Sequence, residues 1–229
     1  RVMSTPPPLR IRGLAKSFPG GRLLFEGLDL DLAAGEVVAV MGESGAGKST
    51  LLNLIAGLDK ADAGVIDIAG TPLSSLDETG RTRLRREHLG FVFQAFHILP
   101  YLTVAQNTAL PLVLANVDAS RALSRAAEML AAVGLAGREA DLPSRLSGGE
   151  LQRTAIARAL VHHPALILAD EPTGNLDPET AERSLGLLLE AARTRGAAVL
   201  LVTHSARAAE AADRTLFLGR RGLGARHAA

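Results

Sequence analysis

A glycine-rich segment followed by a lysine and two hydroxyl residues is the strongest chemical signal in the chain. Its members are Gly42, Glu43, Ser44, Gly45, Ala46, Gly47, Lys48, Ser49 and Thr50. Their order matches G-x-x-x-x-G-K-[ST], in which backbone N–H groups of a glycine-rich loop surround phosphate oxygens. We expect Lys48 to contact the β- and γ-phosphates of a nucleotide and the Ser49 hydroxyl to bind Mg²⁺. The alternative is an ordinary glycine-rich turn before a helix.

Two carboxylates follow an apolar run much later in the chain. Residues 166–169 are apolar and of strand length, and they lead into Asp170 and Glu171. Ligands of α/β proteins bind at the carboxyl ends of parallel strands. We expect Asp170 to hold Mg²⁺ and Glu171 to act as the general base that polarises an attacking water. Taken alone, the pair is equally consistent with a helix N-cap before Pro172, but the phosphate loop favours the catalytic interpretation.

Further polar residues stand where other predicted elements begin or end. Gln94 follows an apolar run at 89–93, and His204 follows one at 198–203. We expect Gln94 to bridge Mg²⁺ and the attacking water, and His204 to hydrogen-bond the γ-phosphate, although each alone fits a satisfied loop residue. Ser147, Gly148 and Gly149 open a helix and predict either a second anion site or a simple N-cap. One chain would then have two anion sites far apart in its sequence, which is explained if the second site of one chain meets the phosphate loop of another chain.

The elements that must position these residues alternate between strands and helices. Strands are predicted at 37–41, 89–93, 166–169, 198–203 and 215–218, and helices at 49–58, 78–88, 120–133, 150–163 and 178–195. A short hairpin is predicted within 61–71. Such alternation favours a parallel α/β sheet. The stretch from about 95 to 160 contains helical patterns and no clear strand, which indicates a helical insertion.

Composition narrows the class of protein. The 229 residues are 47% hydrophobic and 21% charged, which predicts one large folded domain. A formal net charge of +1 argues against a nucleic-acid partner, and the absence of cysteine excludes disulfides and thiol chemistry. Apolar runs fall far short of the roughly 18 residues of a membrane span, so we expect a soluble chain with no direct membrane insertion. Residues 1–8 are expected to be a disordered lead and 219–229 a flexible tail.

The motifs, in this order, resemble those of the ATP-binding cassette ATPases. The resemblance runs from about residue 9 to residue 218 and implies one ATPase domain with an α/β P-loop NTPase fold. That fold has a RecA-like parallel sheet core, an antiparallel β subdomain and a helical subdomain at about 95–160. The resemblance also implies ATP and Mg²⁺ as cofactors. Phe18 stands where the family places an aromatic residue that stacks on adenine; the alternative is a core or turn phenylalanine.

The resemblance implies partners as well. Family members form a homodimer on ATP binding, in which Ser147 and Gly149 of one chain cover the ATP held by the other. Asp177 is the last residue of the family's D-loop motif (residues 174–177) and lies where the D-loops of the two chains cross the dimer. An integral membrane permease would be the second partner, so the expected location is cytoplasmic and peripheral on the inner face of the plasma membrane. We hypothesise that residues 96–102 line the groove that receives a permease helix; ordinary core packing is the alternative.

Finer features resemble the cassettes of lipoprotein-releasing and macrolide-export systems. They are the segment 91–112, Glu150 at the end of the family's signature motif (residues 146–150), and the segment 173–177. Gln106, Thr108 and Ser205 depart from the pattern that is usual in this group. We therefore predict an ATPase subunit that drives export or lipoprotein extraction through a separate permease. A regulatory cassette of the cell-division type, an importer ATPase and a soluble repair or translation cassette remain the alternatives.

Overall fold

The computed structural model describes residues 6–18 and 20–224. The strands are β1 (Leu9–Ser17), β2 (Leu23–Leu32), β3 (Val37–Met41), β4 (Ala63–Ile68), β5 (Thr71–Pro72), β6 (Leu89–Phe93), β7 (Leu166–Asp170), β8 (Ala198–Val202), β9 (Arg214–Gly219) and β10 (Gly222–Gly224). The helices are α1 (Lys48–Ile55), α2 (Glu78–His88), α3 (Val104–Leu114), α4 (Ala119–Ala132), α5 (Gly148–Leu160), α6 (Pro178–Thr194) and α7 (Ala206–Glu210). Strands alternate with helices around the central sheet, as the sequence predicts.

A parallel sheet positions the candidate site. Its strand order is β10-β9-β3-β8-β7-β6, and only β10 runs antiparallel to its neighbour within the described residues. Strands β3, β7 and β8 are apolar almost throughout because both faces of the sheet are covered. In register, Phe93 pairs with Asp170, and Asp170 pairs with Val202. The ends of β6, β7 and β8 therefore bring Gln94, Asp170 and His204 to one edge.

A second sheet is antiparallel, with the order β2-β1-β4-β5. The ends of β1 and β2 alternate buried leucine or isoleucine with exposed charge, as in Leu28, Leu30 and Leu32 beside Asp29 and Asp31. This alternation is typical of a sheet with one solvated face. The resemblance implied an antiparallel subdomain, and the structure has one, although the strand predictions from periodicity did not place β1 or β2.

The helices of the predicted insertion form a layer on one face of the parallel sheet. Helices α3, α4 and α5 bury one apolar cluster against one face of the parallel sheet, together with α6. The antiparallel sheet and α1 bury a second cluster against the other face. Neighbouring residues of β3 divide between the two clusters: Val37 and Ala39 face the first, and Val38 and Val40 the second. The period of two in a strand produces this division.

Described residues in the expected lead and in the expected tail make backbone contacts with the folded domain. Residues 219–224, expected to begin a flexible tail, form the turn and strand of a β9–β10 hairpin. Gly222 has φ of 88°, and a Cβ there would lie 3.2 Å from the Leu28 Cα, so glycine lets the hairpin close against β2. Pro8, in the expected lead, accepts a hydrogen bond from the Ala69 N–H at 3.2 Å. Residues 1–5 and 225–229 lie outside the described residues.

Among the described residues, no helix has both the length and the apolar character that crossing a bilayer requires.

Candidate functional site

The phosphate loop joins β3 to α1, as the sequence predicts. Gly47 is the N-cap of α1 with φ of 98°, and no side chain caps this helix end. Gly45 also has a positive φ, 76°. A Cβ at Gly47 would lie 1.9 Å from Leu24 Cδ2, so both the backbone conformation and the packing require glycine. The uncapped first turn of α1 leaves backbone N–H groups directed at an incoming anion.

Lys48 bends back over the loop. Its Nζ donates to the carbonyl oxygens of Gly42 and Glu43, both at 2.9 Å. Burial lowers the pKa of Lys48, while the nearby carboxylates of Glu171 and Asp170 act in the opposite direction. An ammonium group has three N–H donors, so one donor is left for a phosphate oxygen.

Glu171 lies directly after β7 in an unusual backbone conformation. Its φ is 46°, which is uncommon for a residue other than glycine and occurs often at functional sites. Its N–H donates to the Val202 carbonyl at 2.9 Å, and its Oε2 accepts from the Thr203 hydroxyl at 3.3 Å. The buried Oε1 accepts no hydrogen bond from the described residues and lies 3.5 Å from His204 Nε2. This oxygen is therefore placed to accept a proton from a ligand or a water.

Two adjoining cavities lie along the loop. The larger, of about 690 Å³, is lined by Phe18, Arg22, residues 41–46, His204 and the end of β9. The smaller, of about 270 Å³, is lined by Phe18, Lys48, Asp170, Glu171 and other members of the phosphate loop. Phe18 is 38% exposed and carries the Arg22 guanidinium 4.8 Å from its ring centroid. Phe18 thus lies at the mouth of the site, and the structure does not bury it as a core residue.

Gln94 is held by a residue that sequence reasoning missed. Gln94 Nε2 donates to Asn175 Oδ1 at 3.1 Å, and Asn175 Nδ2 donates to the Gln94 carbonyl oxygen at 2.9 Å. Thr203, which positions Glu171, was missed too. For Thr203 a signal existed, since it is a polar residue at the end of an apolar strand. For Asn175 no sequence signal pointed to Gln94.

Ser147, Gly148 and Gly149 open α5, and the start of the helix differs slightly from the prediction of residue 150. Ser147 is the N-cap: its Oγ accepts from the Glu150 N–H at 3.4 Å, and Glu150 Oε2 accepts from the Ser147 N–H at 2.8 Å. The Ser147 N–H and the Ser147 hydroxyl both donate to the Glu150 carboxylate, and these two bonds lower the pKa of Glu150. The three residues are not among those lining the two cavities along the phosphate loop.

Asp177 and the signature glycines meet through α6. Asp177 caps α6 by accepting from the Thr180 N–H at 3.0 Å, and this bond lowers the pKa of Asp177. A Cβ at Gly149 would lie only 2.6 Å from the Thr180 methyl group, which is closer than two non-bonded carbon atoms can approach, so glycine fits there best. The structure therefore packs the first turn of α6, which directly follows Asp177, against Gly149 of the same chain.

The oxygen-bearing side chains near the phosphate loop fit a Mg²⁺ ion that is also held by nucleotide phosphates better than a metal ion held by the protein alone. Within 6–18 and 20–224, no three His, Cys, Asp or Glu side chains cluster as metal ligands. Mg²⁺ in proteins is commonly held by one or two carboxylates together with substrate phosphates. Ser49 and Asp170 line the same cavity, and Gln94 follows β6, whose last residue pairs with Asp170. The Ser49 hydroxyl, the Asp170 carboxylate and the Gln94 amide would offer oxygen ligands of this kind to a nucleotide-bound Mg²⁺.

Comparisons with known proteins agree with this geometry. The sequence profile of the ABC transporter family matches residues 25–174. The "Lipoprotein-releasing system ATP-binding protein LolD" of Novosphingobium aromaticivorans is 47% identical over 215 residues, which is 93% of this chain and 96% of that protein. The protein named LolD 1 in Rhodospirillum rubrum is 48% identical over 213 residues, or 92% of this chain and 94% of that protein.

Solved structures show the same fold. The ATP-binding cassette MJ0796, described as a dimer in a post-hydrolysis state bound to ADP and Pi, superposes with a TM-score of 0.82. It shares 36% identity, and the match covers 94% of this chain and 96% of that one. A second dimeric structure of MJ0796, described as a bacterial ABC transporter cassette, has the same TM-score and 37% identity.

Proposed function

Since this chain belongs to the ABC transporter family and is an ATP-hydrolysing cassette, we propose that it powers a lipoprotein-releasing system through a separate membrane permease. The observation that carries the proposal is the near-half identity to LolD proteins over almost the full length of both chains. Glu150 and the segment 173–177 point to the same group of cassettes.

In this proposal the phosphate loop binds ATP and the two carboxylates act on the attacking water. Lys48 and the N–H groups of the α1 first turn hold the phosphates, and Phe18 stacks on the adenine. Bound Mg²⁺ would neutralise charge on the β- and γ-phosphates. Glu171 accepts the proton of the attacking water through its free Oε1, and His204 contacts the γ-phosphate.

The oxygen ligands for Mg²⁺ come from three different elements. Ser49 lies in the first turn of α1, Asp170 at the end of β7, and Gln94 after β6. The rest of the phosphate loop, from Gly42 to Ala46 with Gly47 and Thr50, encloses the phosphates.

The proposed working form is a homodimer on ATP binding. Ser147, Gly148 and Gly149 of one chain would cover the ATP held on the phosphate loop of the other, and Asp177 would lie at the crossing D-loops. Two features support this arrangement: the separation of the signature from the cavities of its own chain, and the dimeric state of the solved cassettes. ATP favours closure because it contacts both chains only in the closed form.

The permease is proposed to dock in an apolar groove beside Gln94. A cavity of about 500 Å³ lies between α2, β6, α3 and α5, and its lining includes Phe91, Phe93, His97 and Leu110. Within the segment 96–102, His97 lines this cavity and the other six residues do not. Tyr101, in the same segment, is 92% exposed. An apolar groove next to a metal ligand gives a membrane subunit a direct influence on hydrolysis. The chain would then lie on the cytoplasmic face of the plasma membrane, held there by its partner.

Purification from membranes tests the proposal. The bait is the Glu171→Gln variant with Mg-ATP, which keeps ATP binding and loses the general base. We expect recovery of a permease with few transmembrane helices and a large extracytoplasmic domain, and loss of outer-membrane lipoprotein sorting in cells that make the variant. A permease linked to wall remodelling, or one that binds an import receptor, would replace the lipoprotein assignment. Recovery of no membrane protein, from a trapped dimer, would contradict it.

A substitution in the groove margin separates docking from catalysis. Tyr101→Glu places a charge on an aromatic side chain that is 92% exposed in the segment beside the groove. It is expected to leave basal ATPase activity unchanged while abolishing its stimulation by the permease. Leu58→Glu is the matched control, since Leu58 is also exposed, at 60%, but lies beyond α1. The docking assignment fails if basal turnover disappears with Tyr101→Glu, or if Leu58→Glu uncouples equally.

A further inference from the structure

Asn175 and Gln94 form a closed pair of hydrogen bonds between the D-loop and the end of β6. Gln94 Nε2 donates to Asn175 Oδ1 at 3.1 Å, while Asn175 Nδ2 donates to the backbone oxygen of Gln94 at 2.9 Å. The two residues are 81 positions apart in the chain. Asn175 is therefore the partner of both the main chain and the side chain of the same residue.

The chemistry of the pair determines which way the Gln94 amide faces. A backbone carbonyl only accepts, so Asn175 must direct its NH₂ group at the Gln94 carbonyl. The Asn175 oxygen then faces the Gln94 side chain and requires a donor from it. Gln94 must present its NH₂ group to Asn175, which leaves Gln94 Oε1 as the atom that remains for another partner. An amide oxygen is the kind of ligand that Mg²⁺ accepts, whereas an amide nitrogen is not.

The turn before Asn175 keeps the pair in place. The Gly174 N–H donates to the Glu171 carbonyl at 3.0 Å, which ties this turn to the catalytic carboxylate. A Cβ at Gly174 would lie 2.8 Å from Gln94 Nε2 and 3.1 Å from its Cδ, so the Gln94 amide lies directly against Gly174. Glycine at 174 and asparagine at 175 thus act on the same side chain, one by leaving room and the other by hydrogen bonding.

We propose that Asn175 is a positioning residue for the metal site: it orients the Gln94 amide so that Oε1, and not Nε2, faces the Mg²⁺ of bound ATP. This inference rests on the proposed function, because it assumes that Gln94 is a ligand of nucleotide-bound Mg²⁺. Without Asn175 the Gln94 amide rotates freely and spends part of its time with nitrogen toward the metal. Asn175 itself touches neither the nucleotide nor the metal in this proposal.

The test measures metal-dependent nucleotide binding instead of turnover. In the Glu171→Gln background, the affinity for a fluorescent ribose-labelled ATP is measured with Mg²⁺ and with EDTA. Asn175→Ala is expected to reduce the gain in affinity that Mg²⁺ provides by about tenfold, as other losses of residues that orient metal ligands do. The affinity in EDTA is expected to stay unchanged. Gly174→Ala, which pushes the Gln94 amide away from Asn175, is expected to have the same effect.

Two controls make the result specific. Asn53→Ala removes an exposed asparagine on α1 and is expected to change neither affinity. Gln94→Ala combined with Asn175→Ala is expected to match Gln94→Ala alone, because a positioning residue has no effect once its target is absent. Additive effects in the double variant, or an unchanged Mg²⁺ gain in Asn175→Ala, would overturn the inference. Failure of the parent Glu171→Gln protein to bind the nucleotide at all would instead contradict the proposed function.

Discussion

Helices α1 and α5 both begin at a glycine-rich turn, yet their N-termini differ in how the backbone N–H groups are occupied. Gly47 caps α1 in a left-handed conformation, without a side-chain hydrogen bond and without an acidic residue in the first turn. Ser147 caps α5 in a complete capping box with Glu150. The first turn of α1 is therefore ready for an anion, whereas that of α5 already carries a carboxylate.

The carboxylate on α5 weakens that helix end as an anion site within one chain. A negative charge in the first turn occupies the favourable field of the helix N-terminus. Arg138 offsets part of this charge, since its Nη1 donates to Glu150 Oε1 at 2.9 Å. For the proposed dimer, the difference predicts an order of events. ATP would bind first at α1 of a single chain, and α5 of a second chain would then engage the phosphate that is already held.

Changing Ser147 to asparagine tests this order and should have the largest effect. Asparagine is as good an N-cap as serine, so α5 stays capped while the hydroxyl that would reach the partner's phosphate is lost. Each hydrogen bond to a charged phosphate contributes about 1.5–3 kcal/mol, and a dimer loses two of them. ATP-dependent dimerisation in the Glu171→Gln background should weaken by about 10²–10⁴-fold, as measured by analytical ultracentrifugation.

The control for this substitution is a second capping box in the same chain. Thr103 caps α3 and Gln106 completes its box, so Thr103→Asn makes the same kind of change far from the signature. It is expected to leave dimerisation unchanged. If Ser147→Asn lowers ATP affinity in the monomer, α5 belongs to the site of its own chain and the two-step order is wrong.

Lys48→Ala tests the proposed anion site at the N-terminus of α1. The substitution removes the donor that remains for a phosphate, and a hydrogen bond between charged groups contributes about 1.5–3 kcal/mol. ATP affinity of the monomer should fall by about 10- to 150-fold in isothermal titration calorimetry. Lys60→Ala, at an exposed lysine, should have no effect. Normal ATPase activity in Lys48→Ala would remove the basis for the whole site.

The sequence predicted the five parallel strands of the central sheet to within about one residue, whereas β10 falls in the segment that was expected to be a tail. Strands β3, β6, β7 and β8 are buried on both faces, so each appears as a continuous apolar run with no dependence on its neighbours. Strands β1 and β2 were not located, because Gly13 and Gly27 adopt positive φ and their ladder shifts register between Ile11 and Lys16. Such irregularities interrupt the alternation on which strand prediction depends.

The candidate site also contains residues that local sequence can predict and residues that it cannot. Positions such as Gly47, Asp170 and Gln94 follow from a motif or from the end of a strand, and local sequence is enough to name them. The atoms that orient them come from far along the chain: Asn175 lies 81 residues from Gln94, and Thr203 lies 32 residues from Glu171. Only the tertiary fold brings those partners together, so one sequence alone could not predict the orientation of the catalytic groups.

Phe18→Ala is expected to have the smallest effect of the three substitutions. Phe18 contributes to the proposed nucleotide site at α1, and no aromatic residue is proposed to play the same part at α5. Loss of a base stacked on an aromatic ring costs about 1–3 kcal/mol, so ATP should bind about 5- to 150-fold more weakly, with Phe18→Trp restoring affinity. Tripolyphosphate has no base, so its affinity should not change in a competition assay. The Phe18 N–H donates to the Arg22 carbonyl at 2.9 Å and closes a turn. Because this bond joins backbone atoms, it is retained in Phe18→Ala, and the loop should keep its shape. Weaker tripolyphosphate binding would mean that Phe18 supports the phosphate loop through the cavity wall, and adenine recognition would then have to come from other residues there.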